Sequence, residues 1–199
     1  MANKIVGVLG GTFDPPHIGH LALANKAIAE QNLVEVKLIP AGDPYHKSDA
    51  SITSAKHRLE MTRLAAQSYK SLTVDEREIR QKGPSYTVET LKSLQSDGIT
   101  DIALLMGSDL LVHFSKWYEY QQIEQLAQIV IATRNNQTES EILSLAKRAK
   151  LQVQPKIIEL QNVDYSSTQI RRDLQTKGST KGLSTQVLGY IKKQNLYSK

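Results

Sequence analysis

The chain contains no cysteine, only two phenylalanines and one tryptophan, and no long hydrophobic run in its 199 residues. Without cysteine there are no disulfides, no thiolate nucleophile and no Cys-based zinc site. A reducing compartment is compatible with that, and the cytoplasm is the expected location. No apolar stretch approaches the roughly 20 residues of a membrane-spanning helix, so no membrane partner is expected. A basic segment followed by a long apolar one is also missing at the start, so no secretory signal is expected. Repeats, low-complexity tracts and Pro/Gly/Ser linkers are absent too, and residues 1–199 read as a single domain whose helical last part begins at about residue 166. Two nucleotide-binding signatures are missing as well. The glycines do not fit G-x-G-x-x-G, and no Gly-Lys-Ser/Thr completes a P-loop, which disfavours a hydride-transfer enzyme and a P-loop ATPase.

Apolar residues make up 40% and charged residues 23%, a globular balance. The formal charge of +5 and a pI of about 9.3 invite a nucleic-acid reading. Lysine and arginine are spread along the chain, however, with no basic run interleaved with aromatics. No nucleic-acid partner is therefore expected, and the charge suits small anionic substrates. Apolar runs at 5–9, 34–39, 72–74, 102–106, 129–133 and 157–160 read as strands. Amphipathic stretches at 19–30, 53–68, 85–96, 119–127, 139–150, 167–175 and 184–193 read as helices. This alternation predicts a Rossmann-like α/β domain, a doubly wound and mostly parallel sheet with helices on both faces. Ligands of such sheets bind beyond the strands' carboxyl ends, where the crossover direction switches.

Gly10-Gly11-Thr12-Phe13-Asp14-Pro15-Pro16-His17-Ile18-Gly19-His20 follows the first strand. Paired glycines let backbone N–H groups approach an anion, and the first helical turn offers free donors at a positive dipole end. His17 and His20, at i and i+3, share a helix face and can address one phosphate. Near the other end, Tyr165-Ser166-Ser167-Thr168-Gln169-Ile170-Arg171 opens a second helix. Ser167 or Thr168 can cap that helix and donate to a phosphate, and Arg171 adds a cation on the same side. Two phosphate-binding helix starts in one chain suit a nucleoside triphosphate. Between them, Thr87 can hydrogen-bond a polar ring substituent, and Trp117 offers a flat face for stacking. Taken singly, Trp117 reads as a core residue before it reads as a stacking one, and Thr87 reads as a helix cap.

His17-Ile18-Gly19-His20 resembles the HxGH signature of the nucleotidyltransferase superfamily, and 166–171 resembles the SSTxIR motif of its adenylyltransferases. With I-P-x-x-x-P-x-H-K, P-S-Y-T-x-x-T-L, G-x-D and W-Y-E between them, nearly the whole chain resembles the nicotinate-nucleotide adenylyltransferases. The resemblance implies transfer of an adenylyl group from ATP to nicotinic acid mononucleotide by direct in-line attack, with magnesium carried by the ATP and no dedicated metal site. It implies that His17, His20 and Arg171 are catalytic, and that Gly10, Gly11, Thr12, Phe13, Ser166, Ser167 and Thr168 bind ATP. By the same resemblance Asp109 contacts the ribose and Arg134 lies near the adenine. His46 and Lys47 lie near the phosphates, and Thr87, Trp117 and the backbone near Tyr118 hold the nicotinate ring. Tyr45 stands where the family usually has a second proline, and Leu110 where many members carry serine. The alternatives are a nicotinamide mononucleotide or phosphopantetheine acceptor on the same fold, or a non-enzymatic RNA-binding module. The sequence leaves open whether copies of the chain form a homo-oligomer.

Overall fold

The computed structural model describes residues 4–44, 52–134, 137–160 and 165–198. Six strands form one sheet, parallel throughout, in the order β3-β2-β1-β4-β5-β6. They are β1 (Val6–Gly11), β2 (Glu35–Pro40), β3 (Leu72–Val74), β4 (Ile102–Gly107), β5 (Gln128–Ala132) and β6 (Lys156–Ile158). The order runs outward in both directions from β1 and β4, which pair in register from Val6 opposite Ile102. That is the doubly wound arrangement, and its switch point is the crevice where β1 and β4 end. The sequence reading of a mostly parallel sheet is thus sharpened to a fully parallel one among the described strands.

Burial on both faces explains why the central strands are apolar at successive positions rather than alternating. On one face, Leu9, Val36, Leu38, Ala103, Leu105 and Val130 pack under α1 (Ile18–Gln31), α2 (Ala55–Ala66), α8 (Ser167–Lys177) and α9 (Thr185–Lys193). On the other, Val8, Ile39, Leu104, Met106, Ile129 and Ile131 pack under α4 (Thr87–Ser96), α5 (Ser108–Phe114), α6 (Tyr120–Leu126) and α7 (Glu139–Arg148). Two short helices, α5 and the single turn α3 (Arg77–Arg80), fall where the sequence reads as loop. Neither is long enough to show a helical apolar period, and α5 exposes Leu110 and Val112. Helix ends follow local chemistry. Pro15 and Pro16 disfavour helix before them, so α1 begins after His17 and ends on Asn32 in the left-handed conformation. The cap of α8 is Ser166, whose Oγ accepts from the Gln169 N–H at 3.2 Å, rather than Ser167 or Thr168.

Candidate active site

A cavity of about 400 Å³ opens at the switch point, between the ends of β1, β4 and β5 and the starts of α1, α4, α5 and α8. Gly10, Gly11, Thr12, Phe13, His17 and His20 form one wall, and Ser166, Ser167 and Thr168 another. A Cβ on Gly10 would meet nothing within 4 Å, so a side chain there would intrude on the open space this glycine lines. Phe13 holds a left-handed φ of 49°, unusual for a bulky residue, and its buried ring packs edge-on to His20 at 4.9 Å. The turn between β1 and α1 is thereby locked by packing.

His17 is the N-cap of α1 and only 4% exposed. Its backbone N–H donates to His20 Nδ1 at 3.1 Å, and the two imidazoles stack with centroids 3.7 Å apart. Burial, assisted by the Arg134 cation, pushes the His17 imidazole down from its ordinary value to about 4. At neutral pH it is uncharged and offers one N–H and one lone pair. Its buried Nδ1 faces the His20 N–H in a capping-box arrangement, without a hydrogen bond of full geometry.

The opposite end of the cavity has another character. Thr87 opens α4, and Thr90, one turn on, donates to Glu78 at 2.6 Å. Glu78 is 7% exposed, and burial raises its carboxyl above the usual range despite the opposing hydrogen bonds from Thr90 and Ser85. Ser85 Oγ accepts from the Gly42 and Asp43 N–H groups at 2.9 and 3.2 Å. Trp117 is half-buried, tilted on Phe114 with ring centroids 5.4 Å apart, and lines the cavity, so it is packed and available together. Arg134 and Asp109, also on the lining, form an ion pair at 3.2 Å across the mouth of β4. A Cβ on Gly107 would meet the side-chain ends of that pair and displace them.

Most of the residues singled out in the sequence therefore converge on one cavity. Arg171 is not among its lining residues: one guanidinium nitrogen donates to the Asp14 carbonyl at 2.7 Å. The exposed Tyr118 ring leans on Tyr86 at 4.5 Å and is likewise not on the lining. His46 and Lys47 lie outside the described residues. Sequence reasoning missed Arg58, which is 1% exposed yet donates to three backbone oxygens, those of Thr12, Gly42 and Thr53, at 2.7, 3.2 and 2.9 Å. It also missed Glu78 and the carboxylate of Asp14. Nothing in the sequence marks them, because their partners lie far off along the chain.

Residues 8–173 match the cytidylyltransferase-like family. A probable nicotinate-nucleotide adenylyltransferase of Synechococcus sp. (strain JA-3-3Ab) is 36% identical over 194 residues, covering 96% of this chain and 94% of its own. A probable nicotinate-nucleotide adenylyltransferase of Chromobacterium violaceum is also 36% identical, over 212 residues, with 98% and 99% covered. Among solved structures, the Plasmodium falciparum nicotinic acid mononucleotide adenylyltransferase complexed with NaAD superposes with a TM-score of 0.76 at 20% identity, over 98% of this chain and 97% of that one. That likeness bears on the fold, which it shares across the whole domain. Fold, motif and full-length similarity agree, and the chain belongs to the nicotinate-nucleotide adenylyltransferase family within the cytidylyltransferase-like proteins.

Proposed function

We propose that the switch-point cavity joins nicotinic acid mononucleotide to ATP. A phosphate oxygen of the mononucleotide attacks the α-phosphorus in line, the bond from that phosphorus to the bridging oxygen breaks, and pyrophosphate leaves. The acceptor phosphate is already ionised, so no protein nucleophile takes part. The protein's contribution is placement and charge stabilisation. The observation that carries this reading is His17: a neutral, buried imidazole at a helix start, stacked on His20, on the wall of the cavity that Arg134, Trp117 and Thr87 also line. With Nδ1 turned to the helix backbone, Nε2 carries the N–H that can donate to a phosphoryl oxygen, and negative charge growing there is met by the α1 N-terminus and Arg134.

The two ends of the cavity divide the work in this proposal. His17, His20 and the Gly10–Gly11 turn hold the triphosphate, with Ser166, Ser167 and Thr168 facing them, while Asp109 and Arg134 take the nucleoside. Trp117 stacks on the pyridine ring and Thr87 bonds its substituent. Magnesium enters as part of the ATP substrate and neutralises phosphate charge there. Among the described residues no three His, Asp or Glu side chains are grouped to hold a metal ion. No helix among them is long and apolar enough to cross a membrane.

The test is a coupled assay for dinucleotide formation from ATP, with nicotinate and nicotinamide mononucleotides run side by side. Turnover with pyrophosphate release, faster with nicotinate mononucleotide, is the expected result. Faster turnover with the nicotinamide compound would overturn the acceptor assignment, and turnover with neither would overturn the reaction.

A further inference from the structure

An anion-binding turn has to keep its own carbonyl oxygens away from the phosphate, because a C=O facing an anion repels it. Three carbonyls of the β1–α1 turn are taken up by side chains from elsewhere in the fold. Arg58 of α2 donates to Thr12 O at 2.7 Å, Arg171 of α8 to Asp14 O at 2.7 Å, and Ser167 to Pro15 O at 2.9 Å. Two of these donors are guanidinium groups, and the carboxylate beside them is Asp14, 3% exposed and three residues before His17. Asp14 Oδ2 lies 3.9 Å from Arg171 and accepts from the Thr53 N–H at 3.4 Å. Its other oxygen, Oδ1, accepts from the hydroxyl of Tyr197 at 2.6 Å, across 183 residues of sequence.

We propose that Tyr197, in the segment that follows α9, is a positioning residue for adenylyl transfer, holding the Asp14 carboxylate so that the Arg58 and Arg171 clamps keep the turn and His17 in register with the α-phosphate. This rests on the adenylyl-transfer reading above. The tyrosine is not itself among the residues that line the cavity. It acts through Asp14, as the third layer behind the phosphate. Burial and the bond to Asp14 push its hydroxyl well above the ordinary phenol range, so it remains a donor throughout the working pH range. The left-handed backbone of Tyr197, φ 59°, brings the ring inward from the end of α9. A tyrosine there is required for reach and for its hydroxyl, since the phenyl ring alone would leave Asp14 Oδ1 without this partner.

Tyr190 supplies the matched control. It sits in α9 itself, and its hydroxyl bonds His57 of α2 at 2.8 Å, a contact that ties two helices together without touching the turn. Tyr197→Phe and Tyr190→Phe each delete one hydroxyl from the same part of the molecule. Steady-state kinetics of both full-length variants, with melting temperatures, separate positioning from general stability. Tyr197→Phe is expected to lower kcat about tenfold with KM for ATP and mononucleotide within a factor of about two, because a small displacement of the reacting groups costs rate more than affinity. Tyr190→Phe is expected to keep the wild-type kcat. In the Tyr197→Phe/Asp14→Ala double variant, kcat should equal that of Asp14→Ala alone, as the tyrosine has nothing left to act through.

Unchanged kcat in Tyr197→Phe, equal losses in the two tyrosine variants, or multiplying losses in the double variant would each overturn the inference. If Asp14→Ala does not fold, the comparison of the two tyrosines decides alone. Wild-type protein without turnover would instead overturn the reaction itself, an outcome read before any variant is made.

Discussion

The two ends of the cavity are built on opposite principles. The phosphate end is a backbone turn with an uncharged histidine, cross-braced from behind by Arg58, Arg171, Ser167, Asp14 and Tyr197. The other end carries single side chains, Thr87 at the start of α4 and Trp117 in the loop before α6, both only partly buried, with the Glu78 carboxyl also on the lining. In the proposed function the first serves the chemistry that any nucleotidyl transfer shares, which calls for rigidity. In the same proposal the second distinguishes one acceptor from another, which a few groups can do if each is well placed. Rate should therefore be lost at the first end and substrate affinity at the second.

The largest effect tests that division directly. Replacing His17 or His20 with alanine removes a group proposed to stabilise the transferring phosphoryl, and kcat should fall by about 10²–10³-fold, as for the loss of an oxyanion-hole donor. The KM for the mononucleotide should move far less. Near-wild-type turnover in both single variants would remove the phosphate end from the catalytic role given to it. At the acceptor end, Trp117→Leu keeps apolar contact with Phe114 but loses the flat face. The KM for the mononucleotide should then rise by about tenfold, the order expected for one lost base–aromatic stack, with KM for ATP and kcat nearly unchanged. An unchanged mononucleotide KM would make Trp117 a packing residue alone.

The same contrast explains what the sequence made legible. The β1 turn was readable because all of its working parts, Gly10 to His20, are contiguous and follow a strand, and the sheet was readable from its apolar runs. Seven of the nine helices among the described residues were also anticipated, with ends shifted by a few residues. The braces were not readable. Arg58 sits in an amphipathic helix, where an arginine ordinarily faces solvent, and only the approach of Thr12, Gly42 and Thr53 carbonyls makes it a core residue. Arg171 reads from sequence only through the hydroxyls of its helix start, and its bond to the Asp14 carbonyl, 157 residues away, is not visible there. Glu78 lies in a single helical turn with no periodicity to reveal it, and its hydrogen-bond partners are Thr90 of the next helix and Ser85 just before that helix. Local pattern shows what a segment is, whereas partners separated by a hundred residues are fixed only by packing.

Acid–base behaviour should also divide along the cavity, with a moderate effect on stability. His17 has a lowered folded-state pKa of about 4, so between about pH 6.5 and pH 4 the unfolded chain takes up a proton that the folded one refuses. Its contribution favours the native state above that window and is lost as pH falls through it, by up to about 3 kcal/mol. Glu78 has a raised folded-state pKa, which gives the opposite sign. As pH rises past the unfolded value near 4.3, the unfolded carboxyl ionises first and native stability falls until Glu78 ionises too. Urea midpoints measured from pH 4 to pH 7 should rise less steeply in His17→Asn than in the wild type. In Glu78→Gln they should rise more steeply. Parallel profiles for the three proteins would mean that neither group differs in proton affinity between the folded and unfolded chain.

The smallest effect concerns how far the phosphate end is tuned from across the cavity mouth. Arg134 is the second cause of the low His17 pKa, after burial. In Arg134→Gln the burial remains and the cation goes, so the imidazole should titrate above 4 but still below its ordinary value, followed by NMR of the His17 ring. The change in stability should be under about 1 kcal/mol, because the Arg134–Asp109 pair is partly exposed. A bound triphosphate has the same electrostatic consequence as that substitution, since its negative charge cancels the field of Arg134 at His17 and exceeds it. The His17 resonance of the wild-type protein should therefore move toward the protonated position when a non-hydrolysable ATP analogue binds, and move by more than Arg134→Gln produces. If the analogue binds and the resonance stays, burial alone governs His17. The imidazole then acts as a neutral donor throughout the reaction.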